Sequence, residues 1–183
     1  HRVIDYKGVK IGITICEDMW DKYNTFEYEK SPASHLNMNG AQLIINPSAS
    51  PFCIGKQKAR KKILEGNTER FHSPIVYVNQ VGAHNDLIFD GSSCVVNEKG
   101  EKVSALDSFK EDVQYIHFKN GEFSNASKTT SSQETEEIKL IHDALVFGIK
   151  DYFKKMNFKT ATLGSSGGID SAVVQALTST ALG

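Results

Sequence analysis

Apolar and polar positions alternate along these 183 residues in two periods, and the changes between them mark out the elements. Val9, Ile11, Ile13 and Ile15 alternate with Lys10, Gly12 and Thr14, the two-residue period of a strand ending at Cys16. Ser31 to Asn39 predicts a short helix with Pro32 in its first turn and Gly40 past its end. Ala41 to Asn46 is a short apolar run, a buried strand, followed by the small-residue stretch Pro47 to Pro51. Gly55 to Phe71 predicts a helix whose Lys56, Lys58, Arg60, Lys61 and Lys62 form a solvated basic face by default. Four strand-like runs follow at 75–79, 92–97, 102–106 and 112–118, with Asn97-Glu98-Lys99-Gly100 as a hairpin turn.

From Lys119 to Gln133 large apolar residues almost vanish, which is the composition of a linker. Ser131 with Glu134 then makes a capping box that opens a helix. Ile138, Ile141, Leu145, Ile149 and Tyr152 recur along it at helical spacing, and Lys154 and Lys155 complement its negative end. Thr160 to Leu163 predicts the end of a strand, and Ser171 onward an apolar-faced helix.

The junction between these last two elements carries chemistry. Gly164, Ser165, Ser166, Gly167, Gly168, Ile169, Asp170 and Ser171 place small residues where a backbone must turn sharply and approach a ligand. The unpaired N–H groups and positive dipole end of the helix favour an anion there. Ser166 and Ser171 add hydroxyl donors, and Asp170 a hard oxygen suited to Mg²⁺. A plain turn with an N-cap would use similar residues, but so many in one strand–loop–helix junction favour a phosphate cradle. A Walker loop is excluded by the missing Gly-Lys-Ser/Thr ending. Ser166 to Ser171 instead resembles the Ser-Gly-Gly-x-Asp-Ser loop of enzymes that cleave ATP to AMP and pyrophosphate, although Ser165 stands where those loops more often carry an apolar residue.

A second constellation is Gly12-Ile-Thr-Ile-Cys16-Glu17-Asp18-Met-Trp20, a thiol where a strand gives out. A cysteine there can equally be a small core hydrophobe, and two neighbouring acids disfavour a thiolate unless a cation is near. In context, however, the segment resembles the nucleophile region of the nitrilase superfamily, and specifically the glutaminase domain of the glutamine-dependent NAD⁺ synthetases. Asn46 to Lys56 looks like that family's glutamine loop, and Tyr77 to Gly82 with Phe89 to Ser93 like the strands after it. The linker and the phosphate loop then follow in that family's order.

The resemblance implies Cys16 as nucleophile on the glutamine side-chain amide, Glu17 at the substrate, and Ser50 and Lys56 on the glutamine amino-acid group. Lys56 stands where some relatives carry Arg, losing a bidentate fork. It further implies Gly164 to Ser171 on ATP, Asp170 on Mg²⁺, and deamido-NAD⁺ as the acceptor of ammonia. The implied fold is α/β: the C-terminal part of a nitrilase-like α-β-β-α sandwich over 1–120, a linker over 121–132, and the start of a doubly wound domain over 133–183. The chain opens at His1 and stops at Gly183, and a fragment is expected, with the family's catalytic Glu and Lys upstream and its deamido-NAD⁺ residues downstream. No glutaminase activity is expected of these 183 residues alone.

Net charge of −1 argues against a nucleic-acid or membrane-surface binder, and no apolar run is long enough to span a bilayer. Three cysteines without a C-x-x-C pair suggest neither a disulfide framework nor zinc, so a reducing cytosol fits best. The partners are therefore small molecules, with a homo-oligomer implied for the whole protein. Three alternatives remain: an inert piece of such an enzyme, another ATP-pyrophosphatase amidotransferase of the GMP-synthetase or tRNA-modifying kind, and a stand-alone nitrilase-type amidase.

Overall fold

Residues 2–20, 31–125 and 136–183 are described by the computed structural model of the chain. β1 (Val3–Tyr6) and β2 (Val9–Ile13) form an antiparallel hairpin through Lys7 and Gly8, both at positive φ, the conformation a two-residue hairpin turn demands. A short 3-10 turn (Cys16–Met19) follows. α1 (Pro32–Met38) starts where expected, with the Ser31 hydroxyl accepting the Ser34 N–H at 3.3 Å. β3 (Leu43–Ser48) begins two residues later than its apolar run and continues through Pro47. α2 (Lys56–Phe71) and β4 (Ile75–Asn79) match their predicted spans closely.

β2, β3 and β4 run parallel; β7 (Cys94–Val96) and β8 (Lys102–Ala105) close the sheet antiparallel. The order is β1-β2-β3-β4-β7-β8. Helices α1 and α2 cover one face, where Ala33, Ile63, Leu64 and Phe71 pack on Ile44, Ile75, Tyr77, Cys94 and Val96.

That face corrects the period-2 assignment in β2. The residues turned to the helices are Gly12 and Thr14, whereas Ile13 and Ile15 are 39% and 65% exposed. Gly12 suits the tight packing there, since a Cβ on it would sit 3.1 Å from the Ala41 Cβ and 3.2 Å from Leu36, and both would have to give by a few tenths of an ångström. The apolar alternation marks the opposite face, on which Leu43, Val76, Val78 and Val95 line a cavity of about 610 Å³ roofed partly by residues 106–118. Parallel strands are apolar on both faces, so the apolar stripe alone does not say which face the helices take.

Two further hairpins complete this part. β5 (Val81–His84) pairs with β6 (Leu87–Asp90), and β9 (His117–Lys119) with β10 (Glu122–Ser124). The second corrects two expectations. Of the run 112–118 only its end is strand, because Val113 and Tyr115, 74% and 84% exposed, have no ladder partner. The linker-like stretch from Lys119 opens with a hairpin, turned by Asn120 and Gly121 at positive φ and closed by Phe118 on Phe123 at 5.0 Å. The Ser131–Glu134 capping box lies outside the described residues.

α3 (Glu137–Met156) and α4 (Ile169–Leu182) follow and pack together. The expected strand at 160–163 is not formed: no neighbouring strand among the described residues offers its backbone hydrogen bonds. α3 also turns a different stripe inward than its apolar spacing indicated. Ile138, Leu145 and Tyr152 are exposed, whereas Ala144 is buried, Phe147 meets Phe109, and Gly148, Asp151 and Lys155 face the β5–β6 hairpin.

Candidate active site

Parallel strands leave their C-terminal ends along one edge, where the chain departs and side chains can converge on a ligand. At the ends of β2, β3 and β4 stand Cys16, Ser50 and Asn79. Cys16 is held at φ 46°, a left-handed conformation that a non-glycine residue adopts at a cost and only when its surroundings impose it. The Ile15 N–H donates to Asp18 Oδ2 at 2.8 Å, and the Asp18 N–H returns to the Ile15 carbonyl at 3.0 Å. Asn46, fully buried, donates through Nδ2 to Thr14 Oγ1 at 2.9 Å and to the Cys16 carbonyl at 3.4 Å, while Ser48 Oγ donates to Asn46 Oδ1 at 2.7 Å. From below, Asn67 of α2 donates to the Met19 carbonyl at 2.9 Å. The turn therefore presents a half-buried thiol from a pinned backbone, with the Glu17 carboxylate exposed beside it.

Lys56 comes to this turn from α2. Its ammonium lies 4.0 Å from the centre of the Trp20 ring, a cation–π contact joining the helix start to the end of the thiol segment. Ser50 is buried, and both of its backbone groups are taken by one side chain: its N–H donates to Asn79 Oδ1 at 2.9 Å and its carbonyl accepts from Asn79 Nδ2 at 3.2 Å. Gly55, at φ 76°, makes the bend from this loop into α2.

Behind the loop lies a buried polar cluster centred on Asp90. Its carboxylate accepts both terminal nitrogens of Arg60 (3.0 and 3.2 Å), Gln57 Nε2 at 2.9 Å and Ser92 Oγ at 3.0 Å. Arg60 is 4% exposed and Asp90 0%, which corrects the assignment of Arg60 to a solvated face. An acid thirty residues away buries it. Lys10, on the strand face of Cys16, is six extended residues from it, about 20 Å; its ammonium lies near Gly40, at the other end of the strand.

The cradle residues Gly164 to Asp170 are exposed and Ser171 is half-buried. Gly167 sits at φ 79°, Ser166 Oγ accepts the Gly168 N–H at 3.4 Å, and Ser171 Oγ lies 3.2 Å from Ser166 Oγ while donating to the Gly168 carbonyl at 2.9 Å. α4 starts at Ile169, so Asp170 stands in its first turn. Among the described residues no cluster of three or more His, Cys, Asp or Glu side chains could enclose a metal. Magnesium needs less: one carboxylate and the oxygens of a bound triphosphate suffice, and Asp170 fits that donor set.

The structure thus brings Cys16, Glu17, Ser50 and Lys56 to one region and leaves the cradle apart. Trp20, Asn46, Asn79 and Asp90 fall in the stretches that carry the family resemblance but have no site role of their own in the sequence reading, which gives none to Gln57 or Arg60 either. Asp90 carried the clearest signal, an acid closing the apolar run Leu87-Ile88-Phe89.

Known proteins with related sequences fall on both parts. A family model described as carbon-nitrogen hydrolase matches residues 1–124, and one described as NAD synthase matches 141–183. A glutamine-dependent NAD(+) synthetase of Synechocystis is 40% identical across 97% of this chain, and that of Acinetobacter baylyi 38% across all of it. The chain spans about a third of the length of these relatives, 32% in each case. Among solved structures, the glutamine-dependent NAD+ synthetase of Acinetobacter baumannii in complex with adenosine diphosphate superposes with a TM-score of 0.88 at 35% identity, over 100% of this chain and 33% of that one.

Proposed function

Since the chain belongs to the carbon-nitrogen hydrolase family, we propose that it carries part of the glutaminase site, and the ATP loop, of a glutamine-dependent NAD⁺ synthetase. The pinned Cys16 turn with Lys56 held over Trp20 is the observation that carries the first half, because it sets a nucleophile and a cation at one edge of the sheet. The Cys16 sulfur attacks the side-chain carbonyl of glutamine; the C–N bond breaks, and the nitrogen leaves as ammonia after taking up a proton. Water then cleaves the thioester, releasing glutamate and restoring the thiol. Lys56 pairs with the α-carboxylate of glutamine, Ser50 orients its amino-acid group, and Glu17 contacts the bound substrate. Residues 1–124, the β9–β10 hairpin included, belong to this unit, and the residues after them join it to the synthase unit that begins at 133.

In the second half, Gly164 to Ser171 hold the phosphates of ATP through backbone N–H groups and the Ser166 and Ser171 hydroxyls. Mg²⁺ on Asp170 would neutralise charge on the departing pyrophosphate. The carboxylate of deamido-NAD⁺ attacks the α-phosphorus and releases pyrophosphate. Ammonia then displaces AMP from the acyl-adenylate, giving the amide of NAD⁺. A cytosolic, homo-oligomeric enzyme goes with this chemistry.

The test is Cys16→Ala in the full-length protein. Glutamine-dependent NAD⁺ synthesis should fall by at least a thousandfold while synthesis from ammonium salts continues. Glutamine-dependent turnover surviving in that variant would overturn the proposal.

A further inference from the structure

From residue 141 on, helix α3 lies in the part of the chain that matches the NAD synthase model, yet its inner face is turned to the other part. Asp151 and Lys155, one turn apart, grip a single residue of the edge strand β5. Asp151 Oδ2 accepts the Ala83 N–H at 2.6 Å, Lys155 Nζ donates to the Ala83 carbonyl at 2.6 Å, and the two side chains pair at 2.7 Å. Together they satisfy both backbone groups that an edge strand would leave open. Gly148 faces the hairpin, where a Cβ would sit 2.9 Å from Ile88 Cδ1, the movable end of that side chain.

The contact continues into the glutamine loop. The Phe147 ring of α3 lies 5.7 Å from that of Phe109, and Phe109 lies 5.6 Å from Phe52, edge to face. Phe52 stands between Ser50 and Lys56, and its N–H donates to the Ile88 carbonyl at 2.7 Å. Phe109 is itself tied to the buried cluster, its N–H donating to the Asp90 carbonyl at 2.9 Å. The loop is therefore fixed from two sides, by Asn79 within its own unit and by α3 through the contacts of these rings.

We infer that Phe147, Asp151 and Lys155 are positioning residues of the glutamine site, so that α3 is a wall of the glutaminase unit and not only a lead into the nucleotide unit. This rests on the glutamine reading of Cys16, Ser50 and Lys56 given above. Without the rings the loop keeps its Asn79 clamp but loses its outer support, so binding suffers before chemistry.

The experiment uses the full-length protein with Phe147→Ala, Phe147→Leu and Asp151→Asn. Phe147→Ala should raise the KM for glutamine five- to thirtyfold, with kcat within threefold and ammonia-dependent synthesis unchanged. Phe147→Leu should restore most of the loss, and Asp151→Asn, which spares the core, should raise KM two- to tenfold. Hydrogen exchange over residues 52–57 should quicken in Phe147→Ala. A KM within twofold of the parent in both Phe147→Ala and Asp151→Asn overturns the inference, as does an equal fall of the glutamine- and ammonia-driven rates. If Cys16→Ala still used glutamine, the underlying proposal would fail instead, and the two failures are separately visible.

Discussion

Lys56→Met removes an ammonium that has two partners in turn, the Trp20 ring in the free protein and the α-carboxylate in the proposed glutamine complex. A charged hydrogen bond to a carboxylate contributes about 1.5–3 kcal/mol. Against it stands the cation–π contact, made at 4.0 Å by a half-buried lysine and worth roughly 1 kcal/mol within the usual range for such pairs. Binding exchanges one for the other, so the net loss on substitution is about 0.5–2 kcal/mol, or roughly two- to thirtyfold in affinity. Steady-state kinetics of the full-length protein should show the KM for glutamine rising by that factor. kcat should change little, and Lys56→Arg should recover most of the effect. Trp20 is the only tryptophan of these 183 residues, so the emission of this chain should itself change in Lys56→Met. A KM within twofold of the parent would refute the role given to Lys56. Unchanged emission would refute the contact from which its magnitude was worked.

Breaking the buried Arg60–Asp90 pair with Asp90→Asn should cost about 3–5 kcal/mol in urea unfolding, and replacing both residues by leucine should cost less than the single change, since no unpaired charge is then buried. Asp170→Ala and removal of magnesium by chelation should each weaken ATP-dependent pyrophosphate release in the full-length protein, and the two effects should not add. Burial pushes the Cys94 thiol up to about 11, so at pH 8 iodoacetamide should leave it intact while alkylating the exposed Cys53, as read by mass spectrometry. Burial alone would raise the Asp151 carboxyl, but the hydrogen bonds from Lys155 and the Ala83 N–H outweigh it and hold its pKa below 3.8. Its contribution is therefore complete above that value and lost as pH falls through the lowered one. Hydrogen exchange of the Ala83 amide, corrected for its intrinsic rate, should be flat from pH 5 to 8 and deprotected only in stronger acid.

What could be read from residues alone was local. α1, α2 and β4 follow from caps, glycines and runs of apolar residues, all within a few positions of each other. The Cys16 segment and the stretch Gly164 to Ser171 stood out for a related reason: each packs its distinctive residues into one short stretch. The misses share the opposite property. Lys56 and Arg60 sit one turn apart in the same basic run, and nothing near them says that one reaches an indole while the other is buried on an acid from β6. The inward face of α3 was missed because two of its contacts are made by Asp151 and Lys155, which periodicity counts as polar and therefore as outward. The strand expected at 160–163 failed because a strand is a property of pairs, and its alternation carries no information about a neighbour.

The same distinction explains why the site exists at all. Cys16, Ser50 and Asn79 come from three stretches of chain, and only the parallel pairing of β2, β3 and β4 delivers their ends to one edge. Register decides which side chains meet there. Gly12 is opposite Ile44, so Thr14 falls opposite Asn46 on the helix-covered face, where their hydrogen bond lies directly beneath the Cys16 turn. A slip of one residue would turn Thr14 to the far face and bring Ile13 or Ile15 under the helices, leaving the Asn46 amide without its hydroxyl partner in a buried position. Gly12 disfavours that slip, because a side chain at its place would press on Leu36 and Ala41, whose Cβ atoms lie 3.2 and 3.1 Å from where its own Cβ would be. The glycine thus belongs to the geometry of the Cys16 turn as Asn46 does, although it does not touch the thiol.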